Sequence, residues 1–362
     1  MKTLQKNLRK TLTRDEFIEK FYNKSKSSGS RTVLLAVLKK FDSFCTEVYG
    51  QDSESLIVEL RGDLSDALYN FLQDFVNYME NKELNPKTIA SYFSTLRTFL
   101  RSQGIKISSD DIKDLIRLPE IIQELREPLT KDQLKLLLDY SKPDRKALYL
   151  TLLSSGMRIG EALSLRKKDF DLASKTIQIT IPGRFTKTKQ TRQTYISSEA
   201  KEAVLRILEE KQDDDLVFGK SENLIMAKLS EERTFDNLRK RCGLTEKYSD
   251  SNRHKVNIHS MRAFFHTQAS IVHDEQYANA MDGHQGYLMQ YYRLSPDKRL
   301  ELYLELEPSL LIYQHTDYHK SQKALQTKVQ ELEERNKELM NLKDDLDKIK
   351  QKLSISEKYQ KD

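Results

Sequence analysis

The chain has 362 residues, enough for two ordinary domains, with 32% charged side chains and a formal net charge of +6. That balance suits a polyanionic partner without requiring one. Two distant cysteines, Cys45 and Cys242, exclude a disulfide framework or CxxC zinc ribbon, and no apolar run reaches a membrane span or a signal-peptide core, so a soluble cytoplasmic protein is expected.

Residues 1–27 are mostly polar and run into Lys24-Ser25-Lys26-Ser27-Ser28-Gly29-Ser30, which reads as a solvated tail. Residues 28–125 read as a small all-helical domain. Val33, Leu34, Val37, Leu38 and Phe41 share one helix face, and Leu64, Leu68, Phe71, Leu72 and Phe75 share another. Asn85-Pro86-Lys87-Thr88 opens a third helix, with Ile89, Tyr92, Phe93, Leu96 and Leu100 inward and Lys87, Arg97 and Arg101 outward. Pro119 and Pro128 interrupt the pattern and place a boundary near residues 118–130.

A second, mixed α+β domain is expected over 126–317, making the whole mostly α with a small β-sheet. Thr130 is a plausible N-cap with Gln133 three residues on, and helices should run to about Leu165. Thr176–Ile181 alternates with period two and pairs with Gln193–Ile196 across the loop that begins at Pro182-Gly183. In 318–362, Leu325, Leu332, Leu339, Leu346 and Leu353 recur every seven residues with Val329 and Asn336 at the other inner positions. This predicts a two-stranded coiled coil, weakened by Lys343 and Lys350.

The chemistry-bearing residues come in a fixed order. Arg158 lies in Gly156-Met157-Arg158-Ile159-Gly160-Glu161-Ala162-Leu163, Lys187 in Thr186-Lys187-Thr188-Lys189, and His259 and Arg262 in His259-Ser260-Met261-Arg262. His284 follows in Asp282-Gly283-His284, and then Tyr291-Tyr292-Arg293. Attack on a phosphodiester puts extra negative charge on the non-bridging oxygens, and fixed donors there lower the barrier selectively. Arginine supplies a planar fork that stays charged. A tyrosine hydroxyl becomes a nucleophile only when a cationic pocket or a base takes up its proton, and Lys187 is the candidate acid for the leaving oxygen.

This set resembles the tyrosine recombinase, or phage integrase, family over residues 130–315. Ser154 to Leu163 is similar to the family's first arginine motif, His259-Ser260-Met261-Arg262 to its His-x-x-Arg, and Gly283-His284 to its second histidine. The resemblance implies that the helical domain is a core-binding domain forming a clamp on double-stranded DNA. It further implies a 3′-phosphotyrosyl intermediate with a free 5′-hydroxyl, no metal and no cofactor, and a homotetramer on synapsed DNA. Arg158 and Arg262 would hold the phosphate, while His259 and His284 hydrogen-bond it and move protons. Tyr291-Tyr292-Arg293 and Gly286-Tyr287-Leu288 are similar to archaeal-type integrases, which suggests integration or excision of a mobile element.

Several choices stay open. Tyr291 fits a Tyr-x-Arg pattern, Tyr292 better preserves the spacing, and Tyr291 is favoured. Lys187 is favoured over Lys189, although residues i and i+2 of a strand share a face. Where the family usually has Leu-Gly-His, this chain has Asp282-Gly283-His284. Glu161 reads as an orienter of Arg158. Arg166-Lys167-Lys168 and Arg239-Lys240-Arg241 either touch phosphates or are solvated faces. His259, His266 and His273, seven apart, lie about 10 Å from their neighbours on a helix, too far to share one zinc. A type IB topoisomerase or resolvase, or a non-catalytic DNA-binding regulator dimerising through its zipper, are the alternative readings.

Overall fold

The computed structural model describes residues 11–26, 28–61, 65–284 and 294–313, with scattered positions at 328, 332, 335–337 and 340. The chain divides after Leu125 into two units, and residues Tyr248–Asn252 belong with the first.

The first unit corrects one expectation at its start. Instead of a tail through residue 27, Arg14–Ser25 forms helix α1, because Thr13 and Glu16 close a capping box over its first turn. Phe17 is buried and Ile18 and Phe21 pack on the same core, a short apolar stripe hidden by the polar composition around it. Helices α2 (Ser28–Phe44), α3 (Ser53–Leu60), α4 (Ser65–Asn81), α5 (Pro86–Ser102) and α6 (Ser109–Leu115) follow. Asn85 caps α5, and Pro86 takes the first helical position, where a missing N–H costs nothing.

Leu34, Val37, Leu38 and Phe41 turn inward as the spacing requires, whereas Val33, expected on the same face, lies at its edge and stays 41% exposed. Leu68, Phe71, Leu72 and Phe75 of α4 and Ile89, Phe93, Leu96 and Leu100 of α5 complete this core, whereas Leu64 lies outside the described residues. Phe44 is its aromatic centre, with ring centroids 5.2 Å from both Phe71 and Phe75.

The second unit is built around α8 (Pro143–Ser155), which is buried on nearly every side. Before it comes α7 (Lys131–Asp139), opened by the Thr130–Gln133 capping box. After it come the single turn α9 (Ile159–Ala162) and an antiparallel sheet in the order β1 (Phe170–Asp171), β2 (Gln178–Ile181) and β3 (Arg192–Tyr195). The register sets Gln178 opposite Tyr195 and Ile181 opposite Arg192, so the expected pairing forms and gains a short third strand. Helices α10 (Ser198–Leu208), α11 (Leu224–Arg241), α12 (Ile258–Val272), α13 (Glu275–Asp282) and α14 (Pro296–Leu310) surround α8 and the sheet. Cys45 and Cys242 are free thiols.

The heptad segment 318–362 lies outside the described residues except at those scattered positions. Among the described residues no helix is long and apolar enough to cross a membrane. Replacing Phe44 by alanine is expected to cost the first unit about 3–5 kcal/mol. The urea midpoint followed by circular dichroism reads this, and a shift no larger than that of the exposed Val33→Ala would refute the packing.

Candidate active site

Helix α8 ends at Gly156, which adopts a left-handed φ of 64° and hands the chain to Arg158 in extended conformation at the head of α9. A side chain at 156 is doubly excluded, since its Cβ would stand 2.4 Å from the Phe265 ring of α12. That close approach brings the Gly156 carbonyl to Arg262, whose Nη1 donates to it at 2.5 Å. Arg262 lies one turn into α12 with its side chain only 3% exposed, while the Arg158 side chain keeps 27% of its surface open.

Glu161, buried in α9, ties two arginines together. Its Oε1 accepts from Arg158 Nη1 at 3.2 Å and from Arg192 Nη1 at 3.1 Å. Its Oε2 accepts from Arg192 Nη2 at 2.6 Å and from the Arg158 backbone N–H at 2.8 Å. Burial raises the pKa of this carboxyl, but the Arg192 fork and Arg158 more than reverse the effect and hold it below the ordinary range. Arg192, at the start of β3, was not singled out by sequence reasoning. A basic residue following a predicted loop gives no sign that it will reach back to a carboxylate in α9.

The second carboxylate is Asp282, fully buried at the end of α13. Gly283, with φ of 74°, turns the chain so that His284 folds back on it. Asp282 Oδ1 accepts from the His284 backbone N–H at 3.1 Å and lies 2.8 Å from His284 Nδ1. The same oxygen is 3.2 Å from Arg262 Nη2, an ion pair whose angle is too oblique for a hydrogen bond, so among the described residues this buried donor has no hydrogen-bond partner. His266 Nδ1 meets Asp282 Oδ2 at 3.0 Å and its Nε2 meets Glu275 at 3.1 Å. A Cβ at Gly283 would touch the Arg192 guanidinium at 3.0 Å, which joins the two carboxylate assemblies.

His259 sits in the first turn of α12, whose N-terminus Asn257 caps through the Ser260 N–H. The structure therefore brings together Arg158, Arg262, His259 and His284, whose charges act on one another. Lys187 is exposed in the turn between β2 and β3. Lys189 lies in the same turn with φ of 60°, so the strand parity expected for the two lysines does not apply. Tyr291, Tyr292 and Arg293, with Gly286-Tyr287-Leu288, lie outside the described residues.

The basic runs are engaged within the protein. Arg166 pairs with Glu222 at 2.8 Å and Lys168 with Asp214, while Arg239 and Lys240 share Asp236. His266, Asp282 and His284 do bring three possible metal-ligand atoms within 4.8 Å of one another. One Asp282 oxygen, however, already faces the Arg262 guanidinium, a fixed cation beside the position an ion would take.

Burial first, then the Arg262 and Arg158 charges, lowers the pKa of His259 below the ordinary 6.5. Burial also lowers that of His284, against the upward pull of Asp282, with Arg262 and Arg158 adding to the depression. A pKa lower in the folded than in the unfolded chain gives stability that is complete above the unfolded value and lost as pH falls through the folded one. NMR titration is expected to show midpoints below 6.5 for both imidazoles, with the thermal midpoint falling as pH drops through that window. Midpoints above 6.5 would contradict the nearness of the two arginines.

Residues 127–292 match the phage integrase family and residues 14–103 the phage integrase SAM-like domain. The tyrosine recombinase XerA of Thermococcus onnurineus is 24% identical over 196 residues, covering 53% of this chain and 64% of that protein. The tyrosine recombinase XerC of Halalkalibacterium halodurans is 25% identical over 166 residues, covering 43% and 52% respectively. The chain thus spans less than two thirds of the length of these curated relatives. Among solved structures, a lambda integrase tetramer bound to a Holliday junction is similar with a TM-score of 0.55 at 14% identity, over 75% of this chain and 76% of that one. At that identity the likeness speaks for the fold.

Proposed function

This chain belongs to the phage integrase family, and on that premise we propose that it is a site-specific tyrosine recombinase acting on double-stranded DNA in the cytoplasm. It cuts a strand through a 3′-phosphotyrosyl link and rejoins it to another, in the integration or excision of a mobile element. The observation that carries this reading is the buried pair of carboxylates, Glu161 and Asp282, which holds Arg158 and Arg262 beside His259 and His284.

Arg158 and Arg262 bind the non-bridging oxygens of the scissile phosphate, where charge grows as the five-coordinate state forms. Arg262, though burial lowers it to about 10, remains charged at neutral pH. Tyr291 attacks phosphorus, and Lys187, on its exposed turn, protonates the 5′-oxygen as it leaves. His259 and His284 contact the phosphate and carry protons. The phosphotyrosine conserves the energy of the broken bond, so rejoining calls for neither a metal nor a cofactor. The similar lambda integrase was captured as a DNA-bound dimer and as a tetramer on a junction. A homotetramer on synapsed DNA is the matching assembly here, with the heptad segment as a contact between protomers.

The test is a pool of nicked suicide duplexes of randomised sequence, from which covalent protein–DNA adducts are recovered. Wild-type protein should yield adducts whose attached peptide contains Tyr291. Tyr291→Phe should abolish them and Tyr292→Phe should spare them, while Arg158→Ala should slow their formation about 100- to 1,000-fold. Salt-sensitive binding with no adduct in any variant would sink the proposal in favour of a regulator. Removing residues 321–362 should lower the oligomeric state measured by light scattering while single-strand cleavage persists, and an unchanged mass would remove the heptads from the assembly.

A further inference from the structure

The recombinase reading gives Arg192 no role, yet this arginine grips Glu161 with both ends of its fork, Nη1 at 3.1 Å and Nη2 at 2.6 Å. Its Cδ, Nε and Cζ would each stand 3.0 Å from a Cβ at Gly283, and its side chain is only 11% exposed. With the Nη atoms on Glu161 and Nε buried, any role it has is played through its neighbours. Arg192 is also the last paired residue of β3, opposite Ile181, and residues 182–191 between them carry Lys187. That turn is closed on itself. The Gly183 N–H donates to Thr191 Oγ1 at 3.0 Å, and the buried Thr186 hydroxyl lies 3.0 Å from both the Gly183 and the Gln190 carbonyl oxygens. The Lys189 N–H donates to the Thr186 carbonyl at 3.3 Å. Two residues beyond Arg192, Thr194 Oγ1 donates to the Ser155 carbonyl at 3.0 Å, so β3 is tied twice to the stretch that carries Arg158.

Resting on the recombinase reading, we propose that Arg192 is a positioning residue for the general acid: by gripping Glu161 it sets the β2–β3 turn, and with it Lys187, at a fixed place relative to Arg158. Glu161 also accepts from Arg158 Nη1, so one carboxylate registers the phosphate ligand against the turn that bears the acid. In the cleavage step phosphorus gains its bond to the phenol oxygen, whose proton the histidines carry away. The 5′-oxygen keeps the electron pair of the broken bond and takes a proton from the Lys187 ammonium, which becomes an amine. Rejoining returns that proton. Such a transfer requires the donor within about 2.6–3.2 Å of the oxygen. The flexible four-carbon stem of an exposed lysine does not secure that by itself, and the backbone beneath it must.

The test, on the full chain, compares a duplex recovered from the random pool with the same duplex carrying sulfur in place of the 5′-bridging oxygen of the scissile phosphate. A thiolate leaves without needing a proton, so the sulfur substrate makes the acid dispensable. Arg192→Lys keeps the charge and loses the fork. It should cleave the oxygen substrate about 10- to 100-fold more slowly than wild type with DNA affinity unchanged, and the sulfur substrate within about threefold of wild type. Lys187→Ala should show the same pattern with a loss of about 100- to 10,000-fold on oxygen, whereas Arg158→Ala should stay slow on both. In a Lys187→Ala background Arg192→Lys should cost nothing further. A loss in Arg192→Lys that sulfur does not restore would assign the residue to Arg158 alone and overturn the proposal. If sulfur fails to restore Lys187→Ala, the acid lies elsewhere and the proposal falls while the recombinase reading stands. No adduct from the wild type on either substrate would defeat that reading and this proposal together. If Arg192→Lys does not fold, Arg192→Gln takes its place, and amide hydrogen exchange of the DNA-free wild type needs no variant. There the Thr186 and Lys189 N–H groups should exchange at least about 100-fold more slowly than in a free peptide, and exchange at the free rate would overturn the fixed turn and the proposal with it.

Discussion

Arg158, Arg192 and Arg262 place three like charges around one region of the second unit, and a chain folds into such an arrangement only when counter-charge is buried with them. Two unit charges about 6 Å apart repel by about 3 kcal/mol at an effective dielectric constant near 20. Glu161 and Asp282 meet this need from opposite sides, one bridging Arg158 and Arg192, the other facing Arg262. Three guanidiniums against two carboxylates leave one positive charge in excess, matching the single negative charge of a phosphodiester. Both carboxylates are buried, so replacing either with an apolar residue removes the counter-charge inside the protein that balances these arginines.

The same arrangement explains how donors are kept ready for a substrate. Arg262 spends Nη1 on a backbone carbonyl and meets Asp282 only obliquely through Nη2. Its position is therefore fixed by one strong contact, while the buried Nη2 has no hydrogen-bond partner among the described residues. Such donors, already aligned and desolvated, need no rearrangement when charge develops, which is where enzymes obtain much of their acceleration. The mounting is rigid because it combines the end of α8, the first turn of α12 and the end of α13 with the edge of a sheet.

Much of this was legible in the sequence, for identifiable reasons. Helix faces such as Leu34, Val37, Leu38 and Phe41 announce themselves because burial follows the helical period. The neighbourhood of Arg158, Arg262 and His284 could be expected because their order along the chain carries a resemblance that no single residue has. Arg192 and the grip of Asp282 were hidden, since ion pairs between distant elements leave no local pattern. Asp-Gly in particular reads as an ordinary turn. The strand-parity argument about Lys187 and Lys189 does not carry into the turn that holds them, where Lys189 takes a positive φ. Helix α1 was missed because Phe17, Ile18 and Phe21 are few against their polar surroundings.

Gly156 restricts how this sequence can change by descent. The peptide that ends one helix holds one arginine by its carbonyl and lies two residues from the other, so neither can drift alone as homologous chains diverge. An insertion of a single residue between Ser155 and Arg158 would throw the pair out of register together. Chimeras that take this junction from one parent and α12 from another should therefore work only when the ring at position 265 and the absent side chain at 156 come from the same parent.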